Sequence, residues 1–184
     1  MLDGENTEND QALVAAINAG DDRAFERLYL RYRDWVYRMA YRFTGNHQDA
    51  QDVVQETFSY VVKKFPGFVL SSSIKTFLYP AVRNYSIAAR KKRQRTVQDE
   101  VSLELAAAEE ATDVDHDELS GVLKSLPEAQ QQVLLMRFVD GMTIPEIAAA
   151  LELAPGTAKS RLHYAVKALR ASPKISQYFG RDDP

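Results

Sequence analysis

Between Leu126 and Arg170 the chain runs LPEAQQQVLLMRFVDGMTIPEIAAALELAPGTAKSRLHYAVKALR, and its start and stop signals leave few folds open. An apolar-rich helix holding Val133, Leu134, Met136, Arg137 and Phe138 is stopped at Asp140-Gly141, a glycine C-cap pattern. Ser125 is placed to cap that helix, with Pro127 near its start, where a missing N–H costs little. Thr143 then offers a capping oxygen and Glu146 follows at capping-box spacing. Ile144, Ile147, Ala148 and Leu151 give the next short helix one apolar face. Leu153-Ala154-Pro155-Gly156 breaks it. A last helix from Thr157 to Arg170 turns Ala158, Leu162, Ala165, Val166 and Leu169 inward, leaving Lys159, Ser160, Arg161, His163, Tyr164 and Lys167 outward.

Two short helices joined by a tight turn, the second rich in cations and hydrogen-bonding side chains, predict a helix-turn-helix DNA reader. In that geometry the first helix braces across the backbone and the second enters the major groove. An ordinary helical hairpin with a solvated basic face is the alternative. Cap, turn and unopposed basic face coincide here, which favours DNA.

A net charge of −3 argues against nucleic acid only if charge is evenly spread. It is not. Ile74 to Thr96 holds Lys75, Arg83, Arg90, Lys91, Lys92, Arg93 and Arg95 with no acid, whereas Gln98 to Ser120 holds nine acids and no Lys or Arg. Such blocks suggest separate basic binding surfaces joined by an acidic segment. Cysteine is absent, which excludes disulfides and thiolate metal sites or nucleophiles. No apolar run is long enough to span a bilayer, and the polar start does not read as a signal peptide, so the chain is expected in the cytoplasm with no stable membrane insertion.

The expected fold is all-α, with two small helical domains. Residues 1–10 read as a tail, 11–96 as the first domain, 97–114 as an acidic flexible linker, 115–172 as the second domain and 173–184 as a tail. A short helix is expected from Gln11 to Gly20, then a long one capped by Asp21 or Asp22 and ending near Phe43, its stripe of Phe25, Leu28, Tyr29, Tyr32, Val36, Met39, Ala40 and Phe43 facing the core. In the third, from about His47 to Lys64, Asp49, Asp52 and Glu56 share one face with Gln55 beside it. That row could hold a metal, be merely solvated, or dock a basic partner helix; hard cations prefer ligands converging from several elements. Phe68 to Ser73 reads as an exposed loop. The helix beginning at Ile74 mixes Phe77, Tyr79 and Tyr85 with cations, the composition of a single-strand binder, although some of these rings must pack inward. The run from Arg90 to Arg95 most naturally faces phosphate. Pro80 predicts a kink or a late helix start.

In order, DAQDVVQETF, KTFLYPAVRN and LPEAQQQVLL…GTAKSRLHYAVKALR resemble regions 2.2, 2.3–2.4 and 4 of group IV, or extracytoplasmic-function (ECF), sigma factors of bacterial RNA polymerase. The resemblance spans roughly Asp21 to Arg170. It implies a region 2 helical bundle and a region 4 helix-turn-helix. Asp49, Asp52, Gln55 and Glu56 would dock on the clamp helices of the polymerase β′ subunit, and the second domain on the β flap. The loop with Phe68, Ser71, Ser72 and Ser73, together with Phe77 and Asn84, would capture a base flipped from the melted non-template strand at the −10 element; Arg83, Arg90 and Lys91 would hold nearby phosphates. Thr157, Lys159, Ser160, His163, Tyr164 and Lys167 would contact duplex DNA at the −35 element, with Arg137 and Arg161 on phosphate. The acidic linker would lie along the RNA exit path. An anti-sigma factor is a further implied partner, and it could hold the chain at the membrane.

Departures from the family pattern are local. Phe77 stands where Trp is usual and Pro80 where Arg is common, while Glu152 replaces a frequent Gly, Ala154 a common Ser and Pro155 a common acid. They bear on which promoter is read. No cofactor or metal is implied, and an enzyme is disfavoured: His47, His116 and His163 are scattered, and no HExxH, phosphate loop or nucleophile motif occurs. The competing reading is a free-standing helix-turn-helix regulator with an N-terminal sensing or dimerisation domain. It would need an apolar pocket where Ile74–Arg95 is built for nucleic acid.

Overall fold

The computed structural model describes residues 9–100, 121, 123 and 125–171, with side chains of the first stretch described to Arg95. These residues form two compact units, one from each half of the chain. The first holds α1 (Asp10–Asn18), α2 (Asp22–Thr44), α3 (His47–Val62) and α4 (Ile74–Glu100); the second holds α5 (Glu128–Phe138), α6 (Ile144–Ala150) and α7 (Pro155–Ala171). No strand occurs among the described residues. The predicted tail 173–184 lies outside them, as does the linker beyond Glu100.

Helix α2 is the strut of the first unit, packing against α1, α3 and α4. Asp21 caps it, its carboxylate accepting from the N–H of Arg23 (3.0 Å) and Ala24 (3.3 Å), and Gly45 closes it at a left-handed φ of 64°. Leu28, Val36, Met39 and Ala40 are fully buried, with Tyr32 and Trp35 beside them. Each large apolar side chain buried this way stabilises by about 1.5–3 kcal/mol. Trp35 is absent from the expected stripe, while Phe25, Tyr29 and Phe43 are only half-buried. Opposite α2 stand Val53, Phe58 and Val61 of α3 and Ile74, Leu78, Tyr79 and Val82 of α4.

Three boundaries differ from expectation, each for a local reason. Asp10 is not tail but the first residue of α1, because its carboxylate bonds Arg31 (2.8 Å) and the Tyr32 hydroxyl on α2. Helix α4 does not wait for Pro80: the Ser73 hydroxyl accepts from the Thr76 N–H at 3.2 Å and starts the helix at Ile74. Pro80 is exposed, and the helix continues through it despite the missing N–H. The same helix runs past the predicted boundary at residue 96, to Glu100.

In the second unit Leu126, Leu134, Ala165 and Leu169 form a core, with Leu123, Leu162 and Val166 packed against it. Ser125 is not the cap of α5; Pro127 stands there, its carbonyl accepting from Gln130 (2.8 Å) and Gln131 (3.0 Å). The capping box on α6 is complete: the Thr143 hydroxyl accepts from the Glu146 N–H (3.4 Å), and the Glu146 carboxylate accepts from the Thr143 N–H (2.7 Å). Helix α7 starts at Pro155 rather than Thr157, since proline in a first turn forfeits no hydrogen bond. Before it, Glu152 sits at φ 54°.

A non-glycine residue in left-handed backbone is strained by about 1–2 kcal/mol. Glu152→Gly should therefore raise the stability of the second unit by about 1 kcal/mol, and Gly141→Ala, at φ 66°, should lower it by a similar amount. Urea unfolding of the full chain, followed by amide exchange in α5–α7, checks both signs.

Candidate nucleic-acid interface

On α7 the pattern of burial selects the outward face. Ala158, Ala165 and Leu169 are buried, whereas Thr157, Lys159, Ser160, His163, Tyr164 and Lys167 are all exposed. Thr157, Ser160, His163, Tyr164 and Lys167 share one helical stripe, with Lys159 on its flank. Tyr164 is 57% exposed and its ring meets that of His163 edge-on at 5.6 Å. The Ser160 hydroxyl donates to the Thr157 carbonyl at 3.1 Å, which fixes its rotamer while leaving oxygen lone pairs outward. Arg161 is half-buried rather than fully outward. Arg137 donates to the Met142 carbonyl at 3.1 Å, so it also braces the turn between α5 and α6 while remaining exposed. The helix carries Lys159, Arg161, Lys167 and Arg170 and no acid, which suits a polyanion.

In the first unit α3 and α4 each bury one stripe and present another. Asp52, Gln55 and Glu56 are exposed, as are Arg83, Asn84, Arg90 and Lys91. Between the two helices runs a groove lined by Asp49, Asp52, Val53 and Glu56 on one side and Ala88, Ala89, Lys92 and Arg93 on the other. Acid and base thus face each other across small residues. No cluster that could hold a metal ion occurs among the described residues.

Two expectations for this surface change. Arg93 is not a cation without a counter-charge: it bonds the Asp49 carboxylate at 2.8 Å and the Thr44 carbonyl at 3.0 Å, tying α4 to α3 and to the end of α2. Asp49 is correspondingly no open docking group; only 18% of its side chain is exposed. Counting charges along the sequence could not reveal a partner 44 positions away.

The loop between α3 and α4 also divides in two. Ser71 and Ser72 are exposed, while Ser73 is engaged as the helix cap. Phe68 and Phe77 are half-buried and pack on each other at 4.5 Å; Tyr60 stacks on Phe77 at 5.9 Å. Sequence reading also missed the ladder Tyr37–Tyr41–His47, in which His47 stacks on Tyr41 at 4.5 Å and its ring nitrogen bonds the Tyr37 hydroxyl at 2.6 Å.

A double-mutant cycle on Asp49→Ala and Arg93→Ala should return a coupling of about 1 kcal/mol in urea unfolding. Additive effects would show that the Asp49–Arg93 pair contributes no coupling to stability.

Comparison with known proteins agrees with this layout. Residues 28–96 match the family model described as Sigma-70 region 2, and residues 116–169 match Sigma-70, region 4. The chain is 27% identical over 176 residues to the ECF RNA polymerase sigma factor SigW of Bacillus subtilis, covering 85% of this chain and 92% of that protein. It is 30% identical over 176 residues to the ECF RNA polymerase sigma-E factor of Salmonella typhimurium, covering 87% and 92%. Among solved structures, the sigma factor RpoE in complex with the anti-sigma factor NepR from Bartonella quintana is similar in fold, with a TM-score of 0.58 at 23% identity over 86% of this chain and 98% of that one.

Proposed function

We propose that this chain, which belongs to the ECF family of RNA polymerase sigma factors and acts as an alternative sigma factor in transcription initiation, divides promoter reading between its two units. The relatives are sigma factors, which are not enzymes. The observation that carries the division is a pair of outward faces, one on each unit: a stripe of cations and an amide on α4, and the exposed, acid-free stripe on α7.

Asp52, Gln55 and Glu56 dock on the β′ clamp helices of core polymerase. Their exposure supports the role, and Asp49 contributes instead by orienting α3 through Arg93. Asn84 and the exposed serines Ser71 and Ser72 receive a base extracted from the non-template strand at the −10 element, with Phe68, Phe77 and Ser73 shaping the pocket from behind. Extraction costs a few kcal/mol of stacking, and a fixed polar pocket offsets it. Arg83, Arg90 and Lys91 hold flanking phosphates. On α7, Thr157, Lys159, Ser160, His163, Tyr164 and Lys167 read the −35 element in the major groove, while Arg137 and Arg161 sit on phosphate. The second unit docks on the β flap. Residues 10–100 and 115–172 form the two working domains, with residues 101–114 joining them, and the chain acts in the bacterial cytoplasm. A solved relative's complex with an anti-sigma factor supports the same class of partner here. No helix among the described residues is long and apolar enough to cross a membrane.

Run-off transcription with bacterial core polymerase on a pool of genomic promoters tests the reading. Specific transcripts should require the chain. Asp52→Arg should abolish them together with core binding, whereas Asn84→Ala should leave core binding intact and reduce transcripts about tenfold. Lys167→Ala should lower the slope of log affinity against log salt by about 0.9, the change expected when one fewer phosphate is neutralised. Tight binding of the chain to duplex DNA without any binding to core would instead point to a free-standing regulator.

A further inference from the structure

The loop between α3 and α4 has little structure of its own. Among the described residues, backbone–backbone hydrogen bonds stop at the Phe65 N–H to Val62 carbonyl (3.1 Å) and resume at the Phe77 N–H to Ser73 carbonyl (3.1 Å). One side chain from α1 grips the intervening chain. Asn18, the last residue of α1, accepts at Oδ1 from the N–H groups of Gly67 (2.7 Å) and Phe68 (3.1 Å), and donates from Nδ2 to the Phe68 carbonyl (2.8 Å). A single primary amide satisfies three backbone groups, much as a paired strand would.

The backbone is shaped for that grip. Gly67 stands at φ 100°, left-handed backbone that favours glycine, and its N–H and that of Phe68 converge on the one amide oxygen. Phe68, once held, packs its ring against Phe65 at 5.4 Å and Phe77 at 4.5 Å. Beyond it, Val69 is 81% exposed, and Ser71 and Ser72 are exposed. The other end of α1 is anchored too, by Asp10 on Arg31 and Tyr32 and by burial of Leu13 and Val14. The short N-terminal helix therefore connects the central strut to the loop.

We propose that Asn18 is a positioning residue for promoter reading: by gripping Gly67 and Phe68 it presets the loop that receives a base of the melted strand. This rests on the −10 role proposed for that loop. Presetting matters because ordering a loop at the moment of binding subtracts directly from affinity.

The test uses holoenzyme assembled from the full chain and bacterial core polymerase, incubated with randomised single-stranded DNA whose bound fraction is sequenced. The unmodified chain should enrich one base at one position. Asn18→Ala should reduce that enrichment about tenfold while the amount of chain held by core stays the same. Asn18→Asp keeps the acceptor for both N–H groups and loses the donor, so it should fall between. Amide exchange at Gly67 and Phe68 should accelerate in Asn18→Ala with no change in the buried amides of α2. Undiminished enrichment by Asn18→Ala overturns the proposal, and so does loss of core binding in step with enrichment, which would mark general unfolding. If the unmodified chain enriches nothing, the −10 role of the loop fails and the proposal with it; accelerated exchange at Gly67 and Phe68 would then still report the grip itself.

Discussion

Burial of one face of α2 is the constraint on which the first unit depends. That helix contributes Leu28, Tyr32, Trp35, Val36, Met39 and Ala40 to a core it shares with α1, α3 and α4. Because α3 and α4 must each turn an apolar stripe toward it, what remains outside is decided by helical spacing alone. On α3 the remainder is Asp52, Gln55 and Glu56; on α4 it is Arg83, Asn84, Arg90 and Lys91. An acid-bearing surface and a surface of cations and an amide thus come from one packing event.

Placing acid beside base on neighbouring helices has a consequence within the chain itself. Arg93 and Asp49 meet at 2.8 Å, and the guanidinium also takes the Thr44 carbonyl. An exposed ion pair is worth little, but this one is part-buried and reaches three helices at once. Its value lies in registration: it fixes the start of α3 against the far part of α4. Arg83, Arg90 and Lys91 are exposed and do not line the groove. A basic run in a sequence is therefore a mixture of internal struts and external contacts, and only long-range geometry separates them.

What could be read from the sequence was what is local. The capping box of Thr143 and Glu146, the inward face of α7 and the Leu28, Tyr32, Val36, Met39 and Ala40 part of the α2 stripe all depend on neighbours within a turn or two, and they stand as expected. The misplacements share an opposite cause. Asp10 looked like tail because its partners, Arg31 and Tyr32, are on another helix. Pro80 looked like a helix boundary because the rule for proline ignores a strong cap upstream at Ser73 and a solvent-facing position. Asn18 gave no signal at all, since an amide near a helix end ordinarily reads as part of a cap and its partners lie 49 and 50 residues on. The departure at Glu152 was legible as a substitution, but the left-handed backbone that makes it matter was not.

On the proposed roles, α3 and α4 face two different partners from one core at the same time. Site-specific photocrosslinking measures this directly, with a photoreactive residue at position 52 in one preparation and at position 84 in another, each in a complex of the full chain, core polymerase and promoter DNA. The predicted result is crosslinks from position 52 to the polymerase β′ subunit and from position 84 to the non-template strand. Crosslinks from both positions to the same partner would contradict it.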